Sequence, residues 1–163
     1  MMKKVLVLLT VLSVVSSANA AVVVVNPDPA TVSIQTDPIG AVEAQMAFFL
    51  AVGSGLELGA GQMVYTGSLS AITDFTGDPD LTPLVEGLLG GAAAKLDFVE
   101  LFDGAVPAAA VTGQLVTYPV VGGAGTVYML SDTLDTVISS VYVPEPVTFV
   151  LLGLGGLFLR RRK

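Results

Sequence analysis

Thr31-Val32-Ser33-Ile34-Gln35-Thr36 alternates without a break, with Val32 and Ile34 on one side and Ser33 and Gln35 on the other. Successive side chains of a strand point to opposite faces, so this is the pattern of a half-buried β-strand. Farther along, Gln45-Met46-Ala47-Phe48-Phe49-Leu50-Ala51-Val52 is apolar on both faces, which suits an inner strand covered from two sides. Ahead of both, residues 21–25 form an apolar β-branched run, and the prolines of Asn26-Pro27-Asp28-Pro29 should stop it because proline cannot donate to a ladder. Residues 62–66, carrying Met63 and Tyr65, and 69–75 after a Gly67-Ser68 turn read as further short strands. So do 95–102, 113–121, 126–130 and 136–143, with Gly122-Gly123-Ala124-Gly125 as a hairpin connection between two of them. Within residues 80–89, Leu81, Leu84, Val85, Leu88 and Leu89 are spaced three and four apart. That spacing fits one short amphipathic helix ended by Gly90-Gly91, or a surface loop with hydrophobic anchors. About eight strands with one helical insertion make an all-β fold, an antiparallel β-sandwich over residues 21–143.

What flanks that body is of a different character. Lys3 and Lys4 precede an apolar run at 5–15 and the small-residue triplet Ala18-Asn19-Ala20. Basic, apolar and small-residue regions in that order are those of an export signal, so residues 1–20 are expected to be removed by the export machinery between Ala20 and Ala21. At the other end, Val143-Pro144-Glu145-Pro146 leads into an uncharged run at 147–159 and then Arg160-Arg161-Arg162-Lys163. The run has 13 residues. As a helix it would span roughly 20 Å, short of the ~30 Å hydrocarbon core, and so makes a poor permanent anchor. Val147, Leu151, Leu152 and Leu159 supply its apolar surface, while Gly153, Gly155 and Gly156 leave a flat face for close approach by another membrane protein. The terminal cations are expected to stay on the cytoplasmic side and hold the body outside.

This tail, residues 144–163, resembles the PEP-CTERM sorting domain of Gram-negative bacterial surface and matrix proteins. The resemblance implies a precursor held in the inner membrane by its tail. It further implies an exosortase-type processing enzyme that cuts near Pro144-Glu145-Pro146 and passes the body to the envelope surface or extracellular matrix.

A looser resemblance concerns the body. Thr36-Asp37-Pro38-Ile39-Gly40, the apolar stretch 44–52, the glycines 53, 55 and 59 and then Met63-Val64-Tyr65 are similar to the opening strands of cohesin-like domains. Val111-Thr112-Gly113-Gln114-Leu115-Val116-Thr117 is similar to a late strand of that superfamily, which includes carbohydrate-binding modules. It implies a sandwich of cohesin-like or jelly-roll type whose partner is an extracellular polysaccharide or surface protein, and no binding residues carry over.

Composition narrows the chemistry. The chain has no His, Cys or Trp, so zinc hydrolysis and Ser-His or Cys-His catalysis are excluded and no disulfide can form. Fourteen acids face seven bases overall, yet within residues 21–143 there are thirteen acids and the single cation Lys95. Such a surface lacks the clustered cations that nucleic acid requires. Asp74, Asp78 and Asp80 form the densest oxygen-donor group on a turn-rich segment, suited by residue type to Ca2+ but not by EF-hand spacing; the alternative is a solvated acidic loop. Asp97 and Asp103 have opposite strand parity to Glu100, and all three are expected to dot the surface. Tyr65, Tyr118, Tyr128 and Tyr142 are candidate sugar platforms, although their aliphatic neighbours favour a structural role. The expectation is a non-catalytic structural or interaction protein, with a carbohydrate- or protein-binding module and a calcium-dependent adhesin as alternatives.

Overall fold

The computed structural model describes residues 21–27, 30–36, 42–43, 45–65, 70–102, 110–111 and 113–145. Two antiparallel sheets face each other, as the strand pattern requires. In the first, β1 (Ala21–Pro27), β2 (Ala30–Thr36), β10 (Gln114–Gly123) and β5 (Leu56–Leu58) lie in that order, and β6 (Gln62–Met63) also pairs with β10. The second has the order β12 (Val137–Val143), β11 (Gly125–Leu130), β4 (Gln45–Gly53), β8 (Ala93–Phe102) and β7 (Ala71–Asp74). A two-residue pair, β3 (Val42–Glu43) with β9 (Ala110–Val111), and the helix α1 (Thr82–Leu89) complete the described elements.

Between the sheets, alternate residues interdigitate. Val32 and Ile34 of β2 and Leu115, Val116 and Tyr118 of β10 meet Phe48, Leu50 and Val52 of β4 and Val127 and Met129 of β11, all fully buried. The opposite face of β4 is buried as well. Phe49 packs at 4.7 Å between ring centroids on Phe98 and edge-on to Phe75, beneath Val85 of α1 and Leu130 and Leu134. A strand placed between two layers needs apolar residues on both sides, which is why the 45–52 run does not alternate.

Local chemistry sets the helix ends. Asp78 Oδ1 accepts from the Asp80 and Leu81 amides, Thr82 Oγ1 donates to the Asp78 carbonyl at 2.7 Å, and proline occupies the first turn. Gly90 closes the helix in the left-handed region at φ 71°, its amide donating to the Glu86 carbonyl. Helix and C-terminal glycine are thus where the leucine spacing puts them.

Two expectations about the strands change. β1 does not stop at Asn26: Asn26 is in register with Thr31 and Pro27 with Ala30. Proline is tolerated because β1 is an edge strand of its sheet. The Gly122–Gly125 stretch is not a hairpin, since β10 pairs with β2, β5 and β6 while β11 pairs with β12 and β4. It carries the chain from one layer to the other. There Gly123 sits at φ 72° with a backbone so close to Gly55 that any Cβ would collide with the Gly55 carbonyl, and the Ala124 amide donates to that carbonyl at 3.1 Å. The short strands β3, β5 and β9, of two or three residues each, add to the ones the sequence pattern marks, and the strand expected over 62–66 is the two-residue β6.

Candidate functional site

The junction between body and tail is built by the end of β12. Val143 pairs with Gly125 and is fully buried in the inter-sheet core, so the sandwich holds the chain up to this residue. Pro144, the next residue, is half-buried and Glu145 is exposed. β12 therefore ends at the residue directly before the Pro-Glu-Pro motif, with no spacer between this core side chain and Pro144. Pro146, the apolar run with Val147, Leu151, Leu152, Gly153, Gly155, Gly156 and Leu159, the cluster Arg160, Arg161, Arg162 and Lys163, and Ala18 and Ala20 of the leader lie outside the described residues. Among the described residues no helix is long and apolar enough to cross a membrane.

The three aspartates expected as oxygen donors do not converge. Among the described residues no three acidic side chains stand close enough to share a metal ion. Two of the carboxylates instead cap local backbone: Asp74 Oδ1 accepts the Thr76 amide at 2.8 Å, and Asp78 Oδ1 holds the entry to α1. Hydrogen bonds from Thr76 keep the Asp74 carboxyl below its ordinary pKa. Asx turns of this kind explain the local density of aspartate without a cation.

Of the tyrosines, Tyr118 is fully buried between the sheets, as its aliphatic neighbours indicate. Tyr142 departs from the structural reading, being 62% exposed. It stands opposite Thr126, while Tyr128 stands opposite Ser140, so both tyrosines lie on the outer face of the second sheet in diagonal positions. Ala51 is in register with Tyr128, and a Cβ at Gly53 would lie 3.8 Å from its ring. Of the two rings Tyr142 is the exposed one, while Tyr128 is half-buried and packs against the cluster of Phe49 and Phe98. Parity was the available signal: Val141 and Val143 look inward, and the residue between them must look out.

Asp97 also departs from expectation. Rather than dotting the surface it is 1% exposed, on the inner face of β8. Lys95 Nζ lies 3.0 Å from its Oδ1. Neither Asp97 Oδ1 nor the Tyr118 hydroxyl has a hydrogen-bond partner of good geometry. Burial drives the Asp97 pKa above its ordinary value, against the opposing pull of Lys95, and burial together with the Asp97 charge raises that of Tyr118. Glu100 is half-buried, and its pKa is raised by burial. Asp103 lies outside the described residues.

No protein-family model, no curated protein and no solved structure matches this chain. Its role is therefore argued from its own residues.

Proposed function

We propose that this chain is an exported, non-catalytic structural or interaction protein of the bacterial cell surface or extracellular matrix, sorted and processed through its C-terminal tail. One observation carries the reading: β12 ends at the buried Val143, and the next two residues are Pro144 and the exposed Glu145. A processing enzyme in the membrane needs its recognition peptide outside the fold yet close to the bilayer, and this arrangement supports both. The body then contributes a compact acidic sandwich without His or Cys. Replacing Pro144 and Glu145 together by alanine should leave the precursor in the inner membrane in a fractionation and pulse-chase experiment. Unchanged release of the double variant would refute the sorting role.

A second reading, a carbohydrate-binding module, is favoured by the diagonal pair Tyr128 and Tyr142 on the outer face of the second sheet, Tyr142 exposed and Tyr128 half-buried. An exposed aromatic ring suits stacking against the apolar face of a sugar ring. The calcium-dependent adhesin gains no support, because among the described residues no three acidic side chains are placed to share a cation.

A further inference from the structure

The strand registers place one set of features at a single end of the sandwich. β12 ends at Val143 opposite the start of β11 at Gly125, β10 ends at Gly123 opposite Leu56, and β4 ends at Gly53 opposite Ala93. The two turns at 53–55 and 123–125 interlock there through the hydrogen bond from Ala124 to Gly55. Ala21 lies at the other end, because it pairs with Thr36, whose neighbour Gln35 pairs with Gln114 at the start of β10. Body and tail are thus joined at one pole, and the mature amino terminus is expected at the opposite one.

From Val143 to the first residue of the apolar run, Val147, there are only four residue steps, including two prolines. At about 3.1 Å per residue for an extended proline-rich segment, that tether reaches roughly 12 Å. The polar layer of each leaflet takes about 5–8 Å of it, the difference between the full bilayer and its hydrocarbon core shared over two sides. With the tail inserted, the pole is held at the headgroups with almost no slack. The two most exposed large hydrophobic residues of the described chain belong to this pole: Tyr142 at 62%, one residue before Val143, and Val121 at 64%, two residues before Gly123. Tyrosine at such a height is the side chain that favours a membrane–water interface. The charges near the pole are Glu145 itself, Glu57 opposite Gly122, Lys95 opposite Val52, and Asp78 and Asp80 on the segment that follows β7, where the Phe75 amide donates to the Leu96 carbonyl.

We propose that, in the tail-inserted precursor, this pole rests on the bilayer surface with Tyr142 and Val121 in the headgroup layer, which presents the Pro-Glu-Pro peptide at a fixed height to the processing enzyme. The proposal rests on the sorting reading of the tail. Glu57, Glu145, Asp78 and Asp80 make the preferred surface zwitterionic rather than anionic.

Absence of tryptophan from the chain makes the test direct. The full chain, purified from inner membranes of a host lacking a tail-processing enzyme, would be reconstituted in phosphatidylcholine vesicles as three variants with one reporter each: Tyr142→Trp, Val121→Trp and, at the far end of β12, Val137→Trp. Lipids brominated near the headgroup should quench the first two reporters by about twofold or more, with blue-shifted emission, and leave the third unquenched. Val121→Trp guards against misfolding of the Tyr142 variant. Adding phosphatidylglycerol should reduce the quenching. Carbonate-resistant chain whose pole reporters match Val137→Trp would overturn the docking and leave the tail reading standing. Extraction of the chain by carbonate would overturn both. Equal quenching of all three, or pole reporters that respond to a neutral polysaccharide and not to vesicles, would also overturn the docking.

Discussion

Lys95 Nζ lies 3.0 Å from Asp97 Oδ1, and this pair joins the only basic residue of the body to the most deeply buried carboxylate among the described residues. The pairing is lopsided. Asp97 is almost wholly enclosed between the sheets, while the Lys95 side chain keeps 21% of its surface in water. Removing the cation leaves a carboxylate that burial already disfavours. Lys95→Met should therefore destabilise the domain by about 3 kcal/mol, read from the midpoint of urea unfolding with an unchanged slope. A midpoint equal to that of the parent would show that the pair contributes nothing.

The same carboxylate shapes the pH profile. Its pKa in the folded state is raised by burial above the unfolded value, so the folded state takes up the Asp97 proton more readily. Its contribution to stability is fully present below the unfolded pKa and is lost as pH rises through the folded one. Asp74 works in the opposite sense: hydrogen bonds from Thr76 lower its folded pKa, so its contribution is present above the unfolded pKa and lost as the solution is acidified through the folded one. Asp97→Asn should remove the loss on raising pH that Asp97 causes, so that stability between mildly acidic and neutral pH rises relative to the parent. Thermal unfolding across that window checks it, and parallel profiles for parent and variant would contradict it.

Gly123 is required by the crossing between sheets. Alanine there meets both an unfavourable positive φ and the Gly55 carbonyl, whereas alanine at Gly77 meets the same φ region with nothing within 4 Å. The conformational term is about 1–2 kcal/mol at each site. Gly77→Ala should cost that alone, and Gly123→Ala clearly more, by calorimetry on the two variants side by side.

Val85 is the one buried residue of α1, and it docks the helix on the Phe49–Phe98 pair. Truncation to alanine should cost roughly 2 kcal/mol. Hydrogen exchange should then accelerate in 82–89 while the inter-sheet strands keep their protection. Uniform acceleration would mean that the helix is an integral part of the sandwich core.

Calcium should raise the melting temperature no more than sodium salt at equal ionic strength, since Asp74 and Asp78 are committed to backbone amides and no acidic trio converges among the described residues. A calcium-specific shift, abolished in Asp78→Asn, would restore the cation site.

Periodicity and turn chemistry in the chain were sufficient for the sandwich, for Val32 and Ile34 as core and for β4 as an inner strand, because each depends on contacts within a few residues or on a two-sided apolar face, whereas for residues 80–89 they left a helix and a surface loop open and the structure has the helix. The order Pro144, Glu145, apolar run, cations is legible in the same way. Tertiary structure alone decided that the 122–125 turn changes sheets, since a glycine-rich turn looks alike within a layer and between layers. It alone decided which face of β8 receives Asp97, because alternation separates two faces without saying which is enclosed, and here the partner sheet covers one while α1 covers part of the other. Parity already separates Tyr142 from Val141 and Val143, but only packing decided that the valine side is the enclosed one: whether a strand's last residues belong to the core depends on what the opposite layer brings to that end.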